Sequence, residues 1–391
     1  MKMFLKENVF DSALDRIRYL FDEFPNIVVA FSGGKDSTVC LNLALMVARE
    51  KNRLPLNVMF IDQEAEWDTV ISYIRDVMNN PEIKPYWFQM PIKIFNSTST
   101  IQSWLYCWAE GEEWIRPKEE ISIKENKYGT ERFKYLFGNI VDVEFPDTPT
   151  AYIAGVRCEE SPSRMIGLTS KATYKWITWG NANNKKLNHY TFYPLYDWSY
   201  RDIWKSIFDH SWDYCKIYDY MYQYGVRVMN MRVSNVHHET AIHSLFYLQE
   251  IEADNWNRIT KRIHGISTAG QTKRDMFFIK DLPYMFVSWT EYRDYLLENL
   301  ISDETIREIY RKEFASADKR YCDNDLIVKS LCMIEINSIL ANDYYFTKLN
   351  NWKRAPQINS WLKYKESGKQ DPYPNLYIDY ERFKKTDKVS V

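Results

Sequence analysis

The sequence predicts a doubly wound, mostly parallel α/β sheet followed by a mainly helical C-terminal region. Three observations predict it: short apolar runs that end in a glycine turn or at an aspartate, helical stretches between them, and a shift to helical periodicity beyond Asp213. Strand, helix, strand, helix with short joins is the pattern of parallel strands connected through helical crossovers.

The elements follow in order. Phe10, Leu14, Ile17, Phe21 and Phe24 recur at alternating spacings of four and three, an amphipathic helix that ends before Pro25. Asn26 to Phe31 (NIVVAF) is nearly all apolar and rich in valine and isoleucine, the pattern of a strand buried on both faces. A glycine turn leads to a helix over Thr38–Glu50. Leu56–Ile61 is a second buried strand ending at Asp62, Trp67–Met78 a second crossover helix, and Pro85–Met90 a third strand. Between about Phe95 and Thr150 the alternation breaks. Ile101, Trp104, Leu105 and Trp108 fall on one helical face and Glu110–Lys127 is heavily charged, so this stretch reads as an insertion. Ala151–Val156 resumes the strands, Tyr190–Tyr196 adds another, and Ser199 is placed to cap a helix through Phe208. Ser234–Glu250 and Asp254–His264 are the clearest helices of the second half, and the last twenty or so residues are polar. The expected division is a nucleotide-binding domain over 1–212, with the insertion at about 95–150, and a mainly α-helical domain over 213–391.

Composition narrows the function. Among 391 residues, 51 Lys and Arg against 53 Asp and Glu leave a formal net charge of -2, unlike a chain built to coat nucleic acid. Nucleic acid would be met only through a local basic patch or a partner. Met1–Phe10 lacks the apolar core of a signal peptide, and no apolar run approaches the roughly 20 residues that span a bilayer, so a cytoplasmic protein away from the membrane is expected. The six cysteines have no Cys-x-x-Cys pair, which fits reduced thiols and gives no basis for an iron–sulfur cluster. His237, His238 and His243 lack the four-residue spacing of a helical zinc pair, so no zinc site is expected either.

The strongest chemical signal is Ser32-Gly33-Gly34-Lys35-Asp36-Ser37. A buried strand delivers the chain to a turn, and a helix begins at once. Two glycines let successive amide N–H groups point into one concavity at a helix N-terminus, where free amides and the macrodipole both favour an anion. Ser32 and Ser37 add hydroxyls and Lys35 a point charge, while Asp36 fits an anion site if it caps the helix, orders the loop or holds a metal ion. The Walker spacing is absent. Asp62, at the end of the second strand, either accepts from ribose hydroxyls or holds a metal, or simply ends the strand. After the later strand, Gly155 permits close approach, Arg157 and Arg164 are forks suited to phosphate or sulfate, and Ser161 offers a hydroxyl.

S-G-G-K-D-S after a buried strand resembles the PP-loop of the ATP pyrophosphatase superfamily, the adenine nucleotide alpha hydrolase-like proteins. Ala154-Gly155-Val156-Arg157 through Ser161 to Arg164 resembles the second signature of PAPS reductase-like members, and Tyr193-Pro194-Leu195-Tyr196-Asp197-Trp198 resembles their P-L-x-D-W segment. The resemblance covers about Asn26 to His210. It implies a PP-loop, HUP-like doubly wound fold that binds ATP or a related adenine nucleotide, with magnesium, and releases AMP and pyrophosphate. On it, Lys35, Asp36, Arg157 and Arg164 are the catalytic candidates. Ser32, Gly33, Gly34, Lys35, Asp36, Ser37, Asp62, Gly155, Arg157, Ser161 and Arg164 are the nucleotide-binding candidates, and Asp36 and Asp62 the magnesium candidates. The family's reductases carry a C-terminal cysteine in E-C-G-x-H, whereas Cys332 sits in Leu331-Cys332-Met333, so thiol-dependent reduction is disfavoured. Arg232-Val233-Ser234-Asn235, Trp256-Asn257-Arg258-Ile259 and Arg262-Ile263-His264-Gly265 resemble the immunoglobulin-binding regulator A subfamily. That resemblance implies the alternative of a bacterial nucleotide-sensing regulator acting with a ParB/sulfiredoxin-like, DNA-associated partner. Trp104 and Trp108 offer a partner stripe in the insertion if they share a helix, and Arg258, Lys261 and Arg262 a basic helical face.

Overall fold

The computed structural model describes residues 6–99, 101–233, 235–237, 245–270, 282–321 and 325–368. The first helix, α1 (Val9–Glu23), starts where the Asn8 side chain accepts from the Asp11 amide at 2.9 Å, and it buries Leu14, Ile17 and Phe21. Strand β1 (Asn26–Ala30) follows and runs into α2 (Lys35–Glu50), then β2 (Leu56–Ile61), α3 (Asp68–Met78) and β3 (Ile83–Phe88). A two-stranded ribbon, β4 (Ile92–Phe95) with β5 (Trp104–Cys107), precedes α4 (Phe133–Glu144) and β6 (Thr150–Ile153). Next come α5 (Pro162–Thr169), β7 (Gly180–Asn184), β8 (His189–Phe192), α6 (Tyr200–Asp209) and α7 (Ile217–Gln223).

Six strands form one sheet in the order β3-β2-β1-β6-β8-β7. All neighbours are parallel except β7, which pairs antiparallel with β8 at the edge. The expected doubly wound sheet is therefore present. From β1 the chain builds outward to β2 and β3, then returns to place β6 on the other side of β1. Residues of β1, β2 and β6 such as Val28, Val29, Val58, Ala151 and Ile153 are wholly buried, as continuous apolar runs require.

Two compact units account for the chain, as far as it is described. One comprises Met1–Ile94, Tyr106–Val236 and Phe246–Arg262; the other comprises Phe95–Leu105, His237–Leu245 and Ile263–Val391. The first unit thus takes in residues on both sides of the cut expected at 212, because α7 and α9 (Ala253–Arg262), which follows α8 (Leu245–Ile251), bond to its loops. The second unit holds α10 (Ile266–Gly270), α11 (Trp289–Leu300), α12 (Glu304–Tyr321), α13 (Asp325–Leu340), α14 (Thr347–Lys353) and α15 (Pro356–Ser367). Its core packs Leu297, Tyr310, Phe314, Ile336 and Leu349 together with Trp104. At its centre Arg293 donates to Glu335 at 2.7 Å and to Asp318 at 2.9 Å.

The insertion corrects one expectation. Trp104 to Cys107 is a strand, not a helix, and Trp108 follows with a φ of 57°. Trp104 belongs to the helical core, whereas Trp108 is fully buried in the sheet-bearing unit, its indole N–H donating to the Asp62 carbonyl at 2.8 Å. The two side chains form no exposed stripe. The helical spacing was mimicked by a short strand that buries Trp104, Leu105 and Cys107 and exposes Tyr106. His238 and His243, most of Ser234–Glu250 before Leu245, and the polar C-terminal tail lie outside the described residues. No helix among the described residues is long and apolar enough to cross a membrane.

Candidate functional site

Strand β1 is flanked by β2 on one side and β6 on the other, so the direction of sheet building reverses between β1 and β6. At such a switch point the two carboxyl-end loops diverge and leave a crevice, the usual ligand position in open α/β sheets. The two motif-bearing loops, after β1 and after β6, are the ones that flank it.

The first loop is held by its own hydroxyls. Ser37 Oγ donates to the Gly34 carbonyl at 2.8 Å and accepts from the Ser32 amide at 3.2 Å. The Ser32 and Ser37 hydroxyls lie 3.2 Å apart. Gly33 has a φ of 70°, and an added Cβ would meet Val70 Cγ1 at 2.9 Å, so a side chain is excluded by both conformation and space. Gly34 caps α2 in an extended conformation. Amides of the first helical turn lack intrahelical partners and carry the positive end of the helix dipole.

The second loop presses directly on the first. A Cβ on Gly155 would lie 2.6 Å from the Asp36 carbonyl oxygen and 3.1 Å from the Ser37 nitrogen. The close approach read from the sequence is thus a backbone contact with the first turn of α2. Arg157, only 5% exposed, closes the junction. Its Nε donates to Asp36 Oδ1 and its Nη1 donates to Glu159 at 2.9 Å. Burial opposes the Arg157 charge, but Asp36, Glu160 and Glu159 outweigh it and hold the guanidinium above its ordinary range. On the other side, Lys35 Nζ donates to Asp36 Oδ2 at 3.0 Å and to the Met231 carbonyl at 3.3 Å. The Lys35 amide donates to the Tyr218 hydroxyl at 2.9 Å. Asp36 is therefore the ionic hinge of the loop, gripped by both cations.

Other candidates lie in different roles. Ser161 caps α5 by accepting from the Arg164 amide at 3.2 Å. Arg164 is exposed on that helix and paired with Glu160. Asp62 is fully buried; it accepts from Arg116 at 2.6 Å, Trp87 Nε1 at 2.9 Å, Gln89 at 3.0 Å and the Glu64 amide at 2.9 Å. Its lone pairs are taken by protein donors. Neither Asp36 nor Asp62 fits a resident magnesium, because each carboxylate is neutralised by arginine or lysine at bonding distance. The basic face of α9 is likewise engaged: Arg258 pairs with Asp68 at 2.5 Å and Arg262 with Glu64 at 2.9 Å. In the P-L-x-D-W segment, Asp197 binds Arg16 at 2.6 Å and Trp198 Nε1 donates to the Val9 carbonyl at 3.0 Å, so that segment fastens α1 to the sheet.

Sequence reading missed Tyr218 and Met231, which contact the loop from far along the chain, and Arg116 and Glu64, which seal the neighbouring loop. No local pattern announces any of them.

Comparison with known proteins decides the family. The phosphoadenosine phosphosulfate reductase domain model matches residues 26–224, just over half of the chain. The chain belongs to that family. A second model, a domain of unknown function (DUF3440), matches residues 225–360. The family domain therefore contains both loops and Tyr218, while Met231 falls within the second match. Among curated proteins, the uncharacterized protein YbdN of Escherichia coli K12 is 28% identical over 329 residues, covering 80% of each chain. Sulfate adenylyltransferase subunit 2 of Mycobacterium tuberculosis is 47% identical over 60 residues, 15% of this chain and 19% of that one. Among solved structures, Candida glabrata FMN adenylyltransferase is 16% identical with a TM-score of 0.36, covering 60% of this chain and 65% of that chain.

Proposed function

We propose that this PAPS reductase-family protein binds ATP or a related adenine nucleotide across the β1–β6 crevice and cleaves it at the α-phosphate. The observation that carries the reading is the junction of the two loops. Gly155 lets the β6 loop abut the first turn of α2, which brings Arg157 against the Ser32–Ser37 loop beside the switch point. A short local match to a sulfate adenylyltransferase subunit and the family assignment both support an adenine nucleotide as ligand.

In this reading the amides of the loop and the dipole of α2 hold the terminal pyrophosphate, and Lys35 adds charge at its side. Arg157 faces the α-phosphate. An acceptor oxygen forms a bond to the α-phosphorus while the bond to the bridging oxygen of the β-phosphate breaks, and pyrophosphate leaves with that electron pair. Holding the leaving group still by preorganised donors lowers the barrier at α rather than γ. Arg164 and Ser161 act at most by supporting the second loop. Magnesium enters with the nucleotide as its counter-ion rather than as a resident of Asp36 or Asp62.

Thiol-dependent reduction is disfavoured by the thiols themselves. Cys332 is fully buried, and burial pushes it up to about 11. Cys158, beside the second loop, is also raised by burial, so neither is an activated thiolate. A regulatory reading, with the nucleotide sensed for a ParB/sulfiredoxin-like partner, has one observation in its favour. The Lys35 ammonium is held by the Met231 carbonyl, so nucleotide charge would be felt beyond the family domain.

The test is to quench an ATP reaction and separate the nucleotides. AMP with pyrophosphate is expected, with Lys35→Ala losing turnover more than binding. ADP with orthophosphate would contradict the assignment, and tight binding without turnover would leave the regulatory reading.

A further inference from the structure

We propose that Tyr218 is a further phosphate-binding residue, whose hydroxyl is fixed by the Lys35 amide and donates its own proton to the terminal phosphate of the bound nucleotide. The inference rests on the reading of Ser32–Ser37 as the nucleotide site and adds a side chain that the motif does not contain.

The geometry starts from the Lys35 amide, the first N–H of α2. It donates to Tyr218 Oη at 2.9 Å, so the phenol oxygen is the acceptor and its proton remains to be given elsewhere. Among the described residues that hydroxyl accepts this bond and gives none. A buried hydroxyl proton without an acceptor is costly, and an unmet buried donor in a native protein asks for an explanation. The hydroxyl also sits over the loop: a Cβ placed on Gly34 would lie 3.5 Å from it. In the reading of Ser32–Ser37 as the nucleotide site, this hydroxyl therefore stands beside the bound phosphates.

The position is fixed rather than incidental. Tyr218 is 3% exposed, and its ring meets the Trp204 ring edge-on at a centroid distance of 5.2 Å. Lys35 Nζ lies 5.6 Å above the same ring, so the tyrosine organises both the amide and the ammonium of that lysine. Burial keeps the phenol protonated, which makes it a donor at every physiological pH. A neutral donor of this kind adds a bond to a phosphate oxygen without adding another buried charge, and the relay from amide to hydroxyl to phosphate polarises in one direction.

Equilibrium titrations with ATP, pyrophosphate and AMP on wild type and Tyr218→Phe decide the matter. Phenylalanine keeps the ring against Trp204, and circular dichroism with thermal melting checks that the fold is retained. The proposal predicts that ATP and pyrophosphate bind about tenfold or more weakly to Tyr218→Phe, as for a lost hydrogen bond to a charged group, while AMP changes by less than about twofold. Unchanged ATP affinity would reduce the hydroxyl to a helix cap. Tighter ATP binding would make it a competitor for the Lys35 amide, and equal losses for AMP and ATP would place it away from the terminal phosphates; each overturns the proposal. Failure of wild type to bind any of the three would sink the nucleotide reading itself, and the Tyr218 role with it.

Discussion

Two adjacent loops at the carboxyl edge of the sheet, Ser32–Ser37 after β1 and Asp62–Trp67 after β2, both carry acidic residues. In the first, which leads into the N-terminus of α2, Ser32 is exposed and Asp36 is one-fifth exposed. In the second, Asp62 and Glu64 are fully buried and Glu66 is 5% exposed. Glu64 accepts from the Trp108 amide at 2.8 Å, the Ile115 amide at 3.2 Å and Arg262 at 2.9 Å. The β2 loop is a closed internal network, and the β1 loop an open one. Strand-end acidity alone does not identify a ligand site: in both loops the carboxylates are met by cations of the protein, and what differs is that the first loop reaches the surface while the second does not.

The contrast can be broken most forcefully at Asp62. Removing one partner of a buried ion pair strands the other, so Asp62→Ala is expected to cost about 3–5 kcal/mol by leaving Arg116 unpaired. Urea unfolding measures this. A variant with wild-type stability but no nucleotide binding would reverse the assignment and make Asp62 a ligand after all.

Gly155→Ala comes next. Its Cβ would meet the Asp36 carbonyl at 2.6 Å, so the two loops must separate. Overpacking of this kind costs about 1–3 kcal/mol, and ATP affinity should fall by about tenfold or more. Retention of both would show that the junction is not needed for the site.

A third effect follows from pH. Burial, with Asp62 adding to it and Arg116 opposing, pushes the Glu66 carboxyl up to about 8 from its ordinary value of 4.5. The folded state then keeps a proton that the unfolded chain releases, so stability is fully present below the ordinary carboxylate range. It declines as pH rises to about 8 and is level above. Glu335 in the helical unit, also raised to about 8 by burial, has the same sign. Glu66→Gln should therefore flatten the slope in part, and Glu66→Gln with Glu335→Gln should flatten it further. An unaltered pH profile in the double variant would contradict the sealed network. The smallest effect belongs to the open loop, where Ser32→Ala should weaken ATP about two- to fivefold and leave thermal stability unchanged.

Much of the sheet was legible because a parallel strand buried on both faces must be apolar throughout, as NIVVA and LNVMFI are. The glycine loop was legible because a strand, two glycines and a helix start have few other uses. The ribbon strand Trp104–Cys107 was not, since four residues cannot separate a strand from one turn of helix by periodicity. The fate of Asp62 was illegible for another reason: its arginine partner lies 54 residues away, in a segment with no regular pattern. Tyr218 is 183 residues from the lysine it holds, and nothing local marks it among many tyrosines. The family match locates the loops, but only the folded chain shows which side chains they meet.

The central claim, that a nucleotide seats its phosphates on Ser32–Ser37, is tested most directly by calorimetric titration of ATP into wild type and Gly34→Val. A Cβ at Gly34 would lie 3.4 Å from Ser32 Oγ and 3.5 Å from the Tyr218 hydroxyl, which is tolerable, but the two methyl groups of valine would fill the concavity itself. Wild type should bind ATP, and folded Gly34→Val should show no measurable heat of binding. Equal affinity in the two proteins would place the nucleotide elsewhere and contradict the account.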